Sequence, residues 1–76
     1  MLNVDTYLIL QFLDLKGPKE QAEFLQAHRK DMTDMFLKSV AVSLDFVETG
    51  KDIDTRCQDL IQFLNTKVKY EKGRLR

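Results

Sequence analysis

The chain is poor in the residues that staple small folds. Its 76 residues include one cysteine, Cys57, one histidine, His28, one proline, three glycines and no tryptophan. A single cysteine excludes a disulfide within the chain, and Cys57 with His28 is too small a set for a structural zinc site. Stability must come from packing, in a chain long enough for one small domain at most. One unpaired thiol suits a reducing compartment, so a cytoplasmic location is expected. Nothing basic precedes the first apolar run, where Asp5 stands instead, and no signal peptide is expected. That run, 7–15, is broken by Gln11 and Asp14 and is too short to span a bilayer, so no membrane partner is expected.

Net charge is also lacking: twelve basic side chains balance twelve acidic ones. The balance is uneven along the chain. Residues 1–66 carry −4 and residues 67–76 carry +4, an acidic body with a basic tail. A neutral total argues against nucleic-acid binding by the whole surface but leaves the tail as a local contact. There is no phosphate loop, dinucleotide fingerprint, calcium loop, zinc-protease motif or lipidation signal, and no cofactor is expected.

What the sequence does have is helical periodicity with two clear punctuation marks. Gly17-Pro18 separates a helix A over about 3–16 from a helix B starting at 18, with Gly17 in a left-handed position after helix A and Pro18 in the first turn of helix B. Thr49-Gly50 ends helix B near 48. Asp52 or Asp54 then caps a helix C that runs to about 71, and 72–76 forms a flexible basic tail. Helix A is apolar around much of its girth, which calls for a central position or cover on two sides.

Helix B poses the main question. Asp31 and Asp34 could cap a fresh helix near Met32. However, Ala22, Leu25, Met32, Phe36, Val40, Leu44 and Val47 stay on one side with no slip in register, which favours one continuous rod. Phe24, His28, Met35, Val42 and Phe46 widen its apolar side on one flank, and Leu37 on the other. The expected fold is therefore all-α, a single domain over 1–76. Its three antiparallel helices are short A, long B and medium C, completed as a helical bundle by dimerisation. Phe24, His28, Met32, Met35, Leu37, Val42 and Phe46 are the candidate self-association residues.

Candidate chemistry is sparse. His28 has Asp31 one turn away, but two side chains do not make a metal site or a catalytic pair, and a boundary histidine bonding locally explains it. Cys57 falls within the inward stripe of helix C, where a thiol packs as a small hydrophobe. The carboxylates lie on polar faces and at helix starts, where capping and solubility account for them. No enzyme is expected. Met32 and Met35 suit core filling or an adaptable groove. On helix C, Phe63 and Tyr70 share a face with Arg56, Lys67 and, if the helix persists, Arg74, a combination of aromatic and basic side chains typical of interface hot spots. The functional expectation is a small protein-binding regulator, adaptor or inhibitor, partnered by its own copy, another protein, or both. The alternatives are a nucleic-acid-binding dimer using the basic tail and a structural subunit of a larger assembly.

Overall fold

The computed structural model describes residues 4–50 and 52–74, with side chains described over 5–50 and 52–70. Four helices follow in order: α1 (Val4–Leu13), α2 (Pro18–Ala27), α3 (Asp34–Ser43) and α4 (Ile53–Arg74). A single 3-10 turn, Arg29–Asp31, lies between α2 and α3. No strand occurs among the described residues, and the all-helical expectation holds.

The expectation of three antiparallel helices does not. The stretch read as one rod over 18–48 is two ten-residue helices joined by a sharp break. Met32 is extended, with ψ 137°, and Thr33 follows at φ −126°, ψ 165°. The Thr33 hydroxyl accepts from the Phe36 amide at 3.2 Å, capping α3, and donates to Asp5 Oδ1 at 2.8 Å, which ties the start of α3 to the start of α1. Arg29, in the turn, grips α4 through Asp54 at 2.9 Å and Gln58 at 3.0 Å. The break is favoured because a straight rod would outrun α1 and leave half its apolar side bare. Folded back, α3 packs on both α1 and α4 while α2 packs along α4. Thr33→Ala removes the cap and the tie together. A loss of about 1–2 kcal/mol in urea unfolding is expected, and no measurable loss would show that the break is set elsewhere.

α3 also stops earlier than the sequence suggests. Asp45 adopts φ 55°, and the Phe46 and Asp45 amides donate back to Ala41 and Val42 at 2.9 and 3.1 Å. This is a Schellman ending with aspartate, one of the few side chains that tolerates the left-handed region, in the place usually held by glycine. Gly17 is extended instead, at φ −167°, just before α2. Gly50 permits a close approach: a Cβ there would lie 3.0 Å from Thr55 Cγ2 and 3.2 Å from Arg56 Cγ, so those side chains would have to shift. The segment 46–50 thus runs back as a strap to the first turn of α4. Asp34 at the start of α3 meets Arg56 near the start of α4. In an antiparallel hairpin the end of α3 would sit there.

The core draws on every helix: Leu8 and Phe12, Ala22 and Leu25, Phe36, Leu37, Val40 and Ala41, and Cys57, Leu60, Ile61 and Leu64, with Met32 from the break. Phe12 lies edge-on to Phe24 and Phe36, at centroid distances of 6.0 and 6.4 Å, and Phe24 stacks on Phe36 at 6.4 Å. Asp52, rather than Asp54, caps α4, accepting from the Thr55 amide at 2.7 Å. α4 continues to Arg74. The side chains of 71–76, including that of the proposed contact Arg74, and the end of the expected basic tail lie outside the described residues. Among the described residues no helix is long and apolar enough to cross a membrane.

Candidate protein-interaction surface

α1 is a short helix with two apolar sides, and the fold covers only one. Leu8 and Phe12 face the core and are buried. At 100° per residue Leu10 points opposite their midpoint, with Tyr7 and Leu13 about 60° to either side. Those three positions would be polar on an ordinary surface helix. Here Tyr7, Leu10 and Leu13 are 59%, 54% and 55% exposed. The apolar surface continues onto α3. Ile9 and Leu13 line an open groove of about 400 Å³ with Lys38, Ser39, Val42 and Ser43. A second hollow of about 300 Å³ lies among Tyr7, Leu10, Gln11 and Asp14. Val42 projects from the rim, 80% exposed.

The sequence-derived candidates are placed differently. Among the self-association residues, Met32 and Leu37 are buried, and Phe24 and Phe46 pack against the core. The His28 ring lies 4.3 Å from Phe24, and its Nδ1 is 3.8 Å from Asp31. Met35 and Val42 remain exposed, and of these Val42 adjoins the α1 face. On α4, the strip holding Arg56, Phe63, Lys67 and Tyr70 is partly covered by the chain's own strap. Phe46 packs on Phe63 at 4.9 Å, and Glu48 accepts from Arg56 Nη2 at 2.9 Å. Lys67 Nζ lies over the Phe63 ring, 4.8 Å from its centroid. Tyr70 is exposed.

Arg56 is the electrostatic centre of the fold. Its side chain is 9% exposed, and its two terminal nitrogens reach Asp34 at 2.7 Å and Glu48 at 2.9 Å. The hydrogen bond from Arg56, and a second from Lys38, hold the Asp34 carboxyl below the usual carboxylate range, against a slight opposing desolvation. Hydrogen bonds from Thr55 lower Asp52 in the same direction. Carboxyls that bind protons less readily when folded stabilise the protein above their unfolded pKa. That stability is lost as the pH falls through the folded value. Unfolding midpoints in urea should therefore drop as the pH is lowered below about 4, and Asp34→Asn should flatten the drop. An unchanged acid slope in that variant would show that the Arg56 pairing is not formed in solution.

Burial pushes the Cys57 thiol up, outweighing the opposing pull of Arg29. The thiol is thus kept protonated within the core. Among the described residues no three His, Cys, Asp or Glu side chains stand together where they could hold a metal ion.

The signal for the α1 face was present in the sequence, since a short helix apolar on all sides stands out. The cover on two sides that this pattern calls for is not met, since Tyr7, Leu10 and Leu13 stay exposed, and periodicity cannot say how many neighbours a helix has. The fold and this surface together define a small four-helix protein with an unpartnered apolar face. No family model matches the chain, and no curated protein or solved structure matches it.

Proposed function

We propose that this chain is a small non-catalytic regulator, adaptor or inhibitor that works by binding protein through helix faces, its own copy included. The reading rests on Leu10 standing exposed opposite the core of α1, with Tyr7 and Leu13 beside it. Contiguous exposed apolar patches larger than a few hundred Å² usually mark interaction sites, and here three large apolar side chains share the outer side of one short helix. The contact would act by occlusion or bridging, with α1 and the Val42 edge of α3 laid against the partner. The α4 strip around Phe63 is the weaker contact, because that ring already has Phe46 and Lys67 against it. A reducing compartment such as the cytoplasm is the proposed setting, in keeping with one free, buried thiol.

Site-specific photo-crosslinking in cells tests this reading. A crosslinker at Leu13 should trap a defined protein, while one at Gln62, exposed on α4, should not. Equal labelling from both positions, or none from Leu13, would reject the α1 face as the working surface.

A further inference from the structure

The α1 face has a symmetry of its own that points to one occupant. We propose that it is filled by α1 of a second copy of this chain, packed antiparallel about a two-fold axis at Leu10. This rests on the reading of that face as a protein contact and names the partner.

The spacing is self-complementary. Positions 7, 10 and 13 are symmetric about Leu10, three residues to each side. An antiparallel pairing therefore sets Leu10 against Leu10 of the mate, with Tyr7 of each copy on one flank of that contact and Leu13 of each copy on the other. A closed two-fold contact requires that the same patch serve both sides, and this one does. A parallel pairing would set Asp14 beside its own copy. The antiparallel pairing separates the two Asp14 side chains and brings each level with Thr6 in the first turn of the facing helix, where Asp5 already stands.

The area lies somewhat below that of a standard interface. A standard interface takes about 800 Å² from each partner, roughly 60% of it apolar, or about 500 Å². Tyr7, Leu10, Leu13 and Val42 each leave half or more of their surface exposed, on the order of 400 Å² together. That suits a dimer at the small end of the stable class. The groove between Ile9 and Leu13 of α1 and Val42 of α3 is where the flank of the facing helix would rest. Of the flank over 24–46 this surface includes Val42, while Met32 and Leu37 are buried and Phe24 and Phe46 pack against the core.

Sedimentation equilibrium from low micromolar to near-millimolar protein, on wild type and Leu10→Glu, tests the proposal. Wild type should move from one chain to two. Leu10→Glu places two carboxylates on the axis and should weaken the dimer by at least about 100-fold, with an unchanged helical circular-dichroism spectrum. Leu10→Cys should form a disulfide-linked dimer under mild oxidation, whereas Gln62→Cys should not. Buried Cys57 stays out of the reaction. A dimer that persists in Leu10→Glu overturns the proposal. So does a wild-type monomer at every concentration, and a fluorescent apolar dye then separates the two ideas. Dye bound by wild type and released by Leu10→Glu leaves the face as a contact for another protein. No dye bound by the monomer removes the contact reading as well.

Discussion

Phe36→Ala is expected to cost about 3–5 kcal/mol. Phe36 is fully buried and touches both Phe12 of α1 and Phe24 of α2. Removing it deletes a ring and its two aromatic contacts, and it leaves a cavity where three helices meet. A chain of 76 residues has a total stability of about 4–11 kcal/mol, so the variant should be close to half unfolded or lose about 15–30 °C in its melting midpoint. Val42→Ala, at an exposed position on the same helix, should stay within about 0.5 kcal/mol of wild type. Equal effects at the two positions would mean that the inward face of α3 is not the one described.

The second large effect is at Arg56. Arg56→Met keeps the aliphatic stem but removes the charge that holds Asp34 and Glu48. Glu48 Oε1 already lacks a hydrogen-bond partner, and without Arg56 the whole carboxylate would sit beneath the strap unpaired. Breaking a buried ion pair from one side costs about 3–5 kcal/mol. Because Asp34 is largely solvated, about 2–3 kcal/mol is expected here. Adding Glu48→Leu to Arg56→Met should recover part of that loss, since replacing both partners by apolar groups spares the desolvation penalty. A double variant no more stable than Arg56→Met alone would show that the loss comes from packing of the stem. The local sign of release is the Phe63 ring. Its proton shifts should move in Arg56→Met as Phe46 on the strap loses its neighbouring anchor.

The two predictions differ in how far each could be read without coordinates. Phe36 lies on the inward phase of a helical pattern, and its burial was legible. Arg56 was legible only as a basic side chain sharing a face with Phe63. That face is partly covered by the chain's own segment 46–50, a strap in which Phe46 and Glu48 point inward and Val47 points out. No helical periodicity describes such a strap, and its residues read equally well as the last turn of α3. The same ambiguity hid the break at 28–33. The turn and the capped restart at Thr33 keep the apolar residues in phase, so a bent pair and a straight rod give the same pattern. Thr33 followed by Asp34 was the available sign of a fresh helix start.

Helical class, the separation of α1 from α2 at Gly17-Pro18, a capped start of α4 at Asp52 or Asp54 and the inward stripe of Cys57, Leu60, Ile61 and Leu64 were determined by the sequence itself. Each follows from interactions among residues a few positions apart. The fold-back of α3, the internal capture of Arg56 and the outward turn of Tyr7, Leu10 and Leu13 were decided only by tertiary structure. Each depends on which distant surfaces are long enough to cover one another, and a local repeat of 3.6 residues holds no record of that.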